Sequence, residues 1–262
     1  MEQIMNKIER DIKEFTPQKG QVAIYWLGGA GFIIKTGQST IGVDLYLSDA
    51  VRSGDDYKRL TLPPVAPGGL ALDLLIASHE HGDHLDTGSI YELVGENTTL
   101  IGPDSVAELA LKLGIAPRNI KAFNRGDIYN NHEYTIRAVA ADHGDLSPLA
   151  IGFIMNVDGI NIYFTGDTCF RIDLDELIDL KESIDILLVP INPAYGNPGA
   201  KGAANIASLM GAKTVIPCHY WQFKEHGGDP GEFLKSCIRI SPKSDPKILA
   251  MGERFVYNRV SS

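Results

Sequence analysis

His79-Glu80-His81-Gly82-Asp83-His84 places three histidines and Asp83 within six residues, directly after the apolar run 70–77, which reads as a buried strand. In extended backbone side chains alternate between faces, so His79 and His81 project together, while Asp83 and His84 fall where the chain turns toward a helix. Two pairs of metal-ligand side chains can therefore face one cavity. Neutral imidazoles crowded together without a cation compete to be desolvated, which few cores tolerate. A solvated polar turn accounts for a lone histidine but poorly for this density, so the segment is read as a metal site.

Upstream of the cluster, strand signals run over 22–27, 32–35 and 40–45, joined by turns at Gly28, Gly29, Gly31 and Gly37. An amphipathic helix is expected over 5–15, ended by Pro17 and Gly20. The glycine-rich turn leads into Phe32-Ile33-Ile34, which is β-type, whereas a dinucleotide motif requires a helix there. Residues 48–69 hold Pro63, Pro64 and Pro67 with little periodicity and are expected to form a long surface loop bordering the site, the best candidate lid. Downstream, Asp86-Thr87-Gly88-Ser89 offers N-caps for a helix over 90–94, and Asp104 or Ser105 for one over 106–113 that Gly114 ends.

A second β-rich block covers 134–140, 150–157 and 160–164, with Asp158-Gly159 as a hairpin turn. Helices over 174–180, 203–210 and 230–237 are interleaved with short strands at 186–189 and 214–217. Strands then helices, twice over, predict an α/β (α+β) fold with two similar halves, a four-layer αββα sandwich in one domain spanning 1–262.

Composition narrows the partners. At 262 residues and 44% apolar content there is ample material for a core. Glu2, Lys7, Glu9, Arg10, Asp11, Lys13 and Glu14 interrupt the first fifteen residues, so they lack the apolar core of a signal peptide. No apolar run approaches the roughly 18 residues a membrane span needs. Three scattered cysteines suit a reducing cytoplasm rather than a disulfide framework. A net charge of -9 speaks against nucleic acid as a partner and leaves a small-molecule substrate.

His143, Asp167 and His219 share the setting of the cluster, each standing where a β-rich segment ends. Together with 79–84 they make the chain resemble the metallo-β-lactamase fold superfamily, whose motif order is His-X-His-X-Asp-His, then His, Asp and His. Within it the chain looks closest to the L-ascorbate-6-phosphate lactonase group, through Trp26-Leu27-Gly28, Leu100-Ile101-Gly102-Pro103, Thr165-Gly166-Asp167-Thr168, Gly196-Asn197-Pro198 and Val215-Ile216-Pro217-Cys218-His219. The resemblance implies two divalent ions, zinc or manganese with iron as a further option. His79, His81 and His143 would hold one, Asp83, His84 and His219 the other, and Asp167 would bridge them. It also points to a homo-oligomer, without naming an interface.

Such a centre would act as a hydrolase. A divalent ion lowers the pKa of bound water enough for hydroxide to attack an ester, lactone or phosphoester at neutral pH, and the net positive site favours an anionic transition state. Asp83 or a metal-bound water is the candidate proton donor to the leaving group, and Asp44, if behind the cluster, would orient an imidazole. Lys201 and His226 are candidate contacts for a small, anionic substrate, although a surface lysine and a solvated loop histidine are the plainer readings. His132 is expected at an exposed hairpin tip, and Cys218 as a small buried hydrophobe rather than a ligand. A sugar-phosphate lactone is the favoured substrate; a phosphodiesterase or nuclease on the same centre and a non-catalytic metal-binding or sensing protein are the alternatives.

Overall fold

Alternation along the first strand shows how the layers form. In the computed structural model, which describes residues 2–169 and 183–259, Val22, Ile24 and Trp26 of β1 (Gln21–Gly28) pack into the core shared with the second sheet, while Ala23, Tyr25 and Leu27 pack with Ile12 of helix Glu2–Glu14 and with Val106 and Ala110 of helix Asp104–Lys112. A strand covered on both faces reads as a continuous apolar run, as this one does.

β1 is followed by β2 (Gly31–Lys35), β3 (Thr40–Val43), β4 (Leu74–Ile76), β5 (Thr99–Gly102) and β6 (Ile120–Ala122). The first three pair antiparallel and the last four parallel. The second half repeats this with β8 (Tyr134–Ala140), β9 (Ile151–Val157), β10 (Ile160–Phe164), β11 (Ile186–Pro190), β12 (Thr214–Cys218) and β13 (Asp245–Pro246). Each seven-stranded sheet is completed by an antiparallel edge strand, β14 (Arg254–Asn258) beside β1 and β7 (Ile128–Asn130) beside β8. The two mixed sheets are flanked by helices, giving the αββα architecture and its two halves.

Several boundaries differ from the sequence expectation. Of 70–77 only β4 is strand, because Pro67–Gly69 forms a 3₁₀ turn and the Asp73 carboxylate accepts from Thr40 N at 2.8 Å. Asp86 caps no helix. Its carboxylate accepts from Leu47 N, Ser48 N and Gly88 N and from the Ser89 hydroxyl, and the helix it precedes is the single turn Ile90–Leu93. Asp104 and Ser105 lie inside their helix, behind Pro103. Asp229 does cap helix Pro230–Ile240, accepting from Gly231 N and Glu232 N. The helix expected over 203–210 starts earlier, as Gly199–Leu209, and the one expected over 174–180 lies outside the described residues. Among the described residues no helix is long and apolar enough to cross a membrane.

Gly166 sets where the second half delivers Asp167. Its φ is +63°, and a Cβ there would lie 2.5 Å from the Ile151 carbonyl oxygen. Gly166→Ala is therefore expected to destabilise the fold by roughly 1–3 kcal/mol, read as a lowered urea midpoint at unchanged m-value.

Candidate metal centre

The functional side chains sit beyond the ends of β3, β4, β8, β10 and β12, where the two sheets approach. Ile151 N donates to Ser78 O at 3.0 Å and His219 N to Gly29 O at 2.7 Å, tying the two halves together beside the site.

Asp44 follows β3 with a φ of +44° and is completely buried. Its Oδ1 accepts from Ser78 N at 2.7 Å, and its Oδ2 accepts from Ser78 Oγ and from His84 Nδ1, both at 2.6 Å. Because the Ser78 hydrogen goes to the carboxylate, Ser78 Oγ accepts from His79 Nδ1 at 3.0 Å. One carboxylate thus selects the Nδ1–H tautomer of both His79 and His84 and leaves each neutral Nε2 as a bare lone pair. His81 is set the other way round, with Nε2–H donating to the Leu146 carbonyl at 3.1 Å. Its bare Nδ1 then faces His79 Nε2 at 2.9 Å. Two lone pairs at that distance repel unless a cation lies at their focus.

Two groupings could hold a cation: His79, His81 and His143, and Asp83, His84 and His219, with the ligand atoms of each within 4.8 Å of one another. Asp44, His79 and His84 meet the same distance criterion, but the Asp44 oxygens are already engaged. Asp167 lies between the two groupings. Its Oδ2 is 3.8 Å from His143 Nε2 and 3.7 Å from His84 Nε2, and its Oδ1 is 3.4 Å from His219 Nε2 yet buried with no hydrogen-bond partner. His84 Nε2 and His219 Nε2 are 3.0 Å apart.

The electrostatics agree with a site made for positive charge. Burial opposes ionisation of Asp167, but His219, His84, His79 and His143 hold its carboxyl far below the usual range. Asp83 is likewise lowered against burial by His84, His219 and His226. Burial, then the neighbouring His84, keeps His79 neutral. For His84 burial is outweighed by Asp167, Asp83 and Asp44, which raise it to about 10, so without a metal a proton supplies the missing charge.

Around these groups lies a cavity of about 300 Å³ lined by Val51, Tyr57, Leu146, Tyr195, Phe223 and His226 together with ligand candidates. His226 is buried rather than solvated; its Nε2 is 3.8 Å from Asp83 Oδ2, and burial followed by His219 lowers it to about 3. Lys201 is exposed on the first turn of helix Gly199–Leu209 and is not among the lining residues. His132 is exposed at the turn between β7 and β8 and hydrogen-bonds Gln38 in the turn between β2 and β3. Cys218 is buried, and burial pushes its thiol well up. Tyr57 and Tyr195 went unread in the sequence, since neither belongs to a periodic segment.

Glu80, inside the histidine cluster, turns away from the cavity. It accepts from Ser105 Oγ at 2.7 Å and Ser147 Oγ at 2.9 Å, anchoring the loop that carries Leu146. The loop expected as a lid is pinned: Arg59 bridges to Phe223, Leu60 N donates to Gln222 O, and the Arg59 guanidinium donates to the Tyr46 and Ser48 carbonyls.

This fold and this convergence of imidazoles and carboxylates define a class, the metallo-β-lactamase superfamily, and a profile described as a beta-lactamase superfamily domain matches residues 23–219. More narrowly, the chain belongs to the UPF0173 metal-dependent hydrolase family. It is 31% identical over 242 residues to the member from Pelotomaculum thermopropionicum, covering 88% of this chain and 97% of that protein. The member from Archaeoglobus fulgidus is 29% identical over 246 residues, with 90% and 99% covered. The solved structure of Igni18, a metallo hydrolase from Ignicoccus hospitalis, matches with a TM-score of 0.74 at 19% identity, covering 92% of this chain and all of that one, which speaks to the fold alone.

Since Asp44 sets two imidazoles at once, Asp44→Asn is expected to weaken zinc or manganese binding by about 10–100-fold, measured by chelator competition, with the circular dichroism spectrum retained.

Proposed function

We propose that this protein is a hydrolase with two divalent ions, one held by His79, His81 and His143 and the other by Asp83, His84 and His219, with Asp167 shared between them. Its substrate is a small metabolite with an ester or lactone bond. The observation that carries this reading is the His79–His81 contact, in which Nε2 and Nδ1 face each other at 2.9 Å while the far nitrogens are engaged by Ser78 and Leu146, an arrangement that suits a shared cation. The unpartnered Asp167 Oδ1 between the two groupings supports it. Imidazole and carboxylate donors suit zinc or manganese, and iron after them. When bound, the ions supply Lewis acidity and a hydroxide nucleophile at neutral pH.

The remaining work falls to the chain. Asp44 and Ser78 hold His79 and His84 in the ligating tautomer. Asp83 lines the cavity as an ionised carboxylate, placed to take up a proton and pass it to the leaving group. His226, beside Asp83, contacts the substrate from the same side. Among the described lining residues there is no lysine or arginine, so an anionic substrate group has the metal pair to meet it, and Lys201 drops out of the reading. That lining also disfavours a nuclease, whose polyanionic substrate needs cationic side chains. A lactone rests on the resemblance to the ascorbate-6-phosphate lactonases. The free thiols of Cys218 and Cys237 suit the reducing cytoplasm in which such a metabolite enzyme works.

Zinc- and manganese-loaded protein is to be assayed against lactones, p-nitrophenyl esters, phosphodiesters and β-lactams. Ester or lactone turnover that chelation removes is expected, together with a loss of at least about 100-fold in Asp167→Ala. Folded, metal-loaded protein that turns over none of them would overturn the reading.

A further inference from the structure

Among the described residues, the non-glycine positions with positive φ are Asp44, Tyr57, Asp158, Tyr195, His219 and Trp221. Asp158 is explained by its hairpin turn. The others lie in the candidate metal centre, in the cavity wall or, for Trp221, two residues from His219. Left-handed backbone costs a bulky side chain about 1–3 kcal/mol and persists where the surroundings enforce it, typically at sites that must aim a group. Tyr57 at +53° and Tyr195 at +56° come from different loops, and their hydroxyls meet at 3.0 Å over the cavity.

Two phenols joined by one hydrogen bond leave one hydroxyl hydrogen unspent, and neither makes another hydrogen bond among the described residues. Tyr195 stands edge-on against His226 at 6.0 Å, and His226 Nε2 is 3.8 Å from Asp83 Oδ2, so it is the member nearer the reacting groups. Tyr57 stands edge-on to Phe223 at 5.7 Å.

We propose that Tyr57 donates to Tyr195, and that Tyr195 gives its own hydrogen to a carbonyl or carboxylate oxygen of the substrate, whose apolar acyl group lies against Val51, Leu146 and Phe223. Tyr195 is a substrate-binding residue and Tyr57 its positioning residue. The ligand class is a small carboxylic ester or lactone with an apolar acyl group, for which hexanoate is the probe. This rests on the hydrolase reading for its chemistry, while the clasp itself can be tested by binding alone.

The experiment uses full-length zinc-loaded protein, wild type and the variants Tyr57→Phe, Tyr195→Phe and the double variant, with melting temperature and metal content checked to be unchanged. Hexanoate and acetate serve as probes in titration calorimetry, and p-nitrophenyl hexanoate in steady-state kinetics. Hexanoate should bind more tightly than acetate. Tyr195→Phe should weaken hexanoate binding and raise KM about 3–10-fold with kcat little changed. Tyr57→Phe should do less, and the double variant should match Tyr195→Phe, because Tyr57 acts through Tyr195. Absent turnover of the hexanoate ester, and of the lactones, phosphodiesters and β-lactams as well, with Tyr195-dependent hexanoate binding would sink the hydrolase reading and leave the clasp standing. Hexanoate binding that is absent from wild type, or equal in wild type and Tyr195→Phe, would overturn the clasp whatever the turnover.

Discussion

Imidazole nitrogens and carboxylates, most of them buried, converge at the floor of one cavity where they do not fully satisfy one another, and the rest of the structure is arranged around that constraint. His79 and His81 present lone pairs to each other at 2.9 Å, and Asp167 brings a buried carboxylate with an unpartnered oxygen into the same space. Isolated buried charges of this kind cost several kcal/mol each. A proton on His84 relieves part of the imbalance, and divalent ions would relieve more. Metal affinity and fold stability are therefore coupled here, because binding energy is drawn from strain already present in the folded chain.

The two halves explain why the groups meet. Antiparallel strands followed by parallel ones occur in the same order in each sheet, so β3 and β10 are equivalent, as are β4 and β11, and β5 and β12. Asp44 follows β3 and Asp167 follows β10, making them counterparts with divided duties. Asp44 is saturated by Ser78 and His84 and fixes their hydrogens, whereas Asp167 keeps an oxygen free. Only one edge strand crosses back: β7 extends the second sheet beside its sequence neighbour β8, whereas β14, after the second half, extends the first sheet beside β1. Packing of both sheets into one core then holds the strand ends, and with them the site, at fixed separation.

Much of this was legible in the sequence, for identifiable reasons. Strands buried on both faces read as apolar runs, so β1, β2, β3, β8, β9, β10, β11 and β12 were found within a few residues of their bounds. His143, Asp167 and His219 were visible because each ends such a run, and the structure brings all three beside 79–84. Short edge strands such as β6, β7 and β13 carry too few residues for a period to register. β4 was read too long because Leu70 and Leu72 are buried beneath the helix layer without pairing as strand. Asp86 looked like a helix cap because its true partners, Leu47 and Ser48, lie some 40 positions away. The burial of His226 has the same cause, since its neighbours Asp83 and Tyr195 come from separate segments.

The loops divide their labour differently from the strands. Strand ends carry the groups that must not move relative to one another, and a packed sheet interior transmits little slack to them. The cavity wall is assembled instead from residues 48–69, 144–146, 191–198 and 220–226, where left-handed positions at Tyr57 and Tyr195 aim side chains that regular backbone would send elsewhere. These segments are nonetheless braced, through Arg59 to Tyr46, Ser48 and Phe223, Tyr57 to Tyr195, and Asn197 Oδ1 to Thr168 N. A wall built on braced loops over a centre built on strands can change its side chains without disturbing the metal ligands. Selectivity in this chain is thus expected to reside in loop residues with no periodic signature, the part of the site that a motif reading passes over.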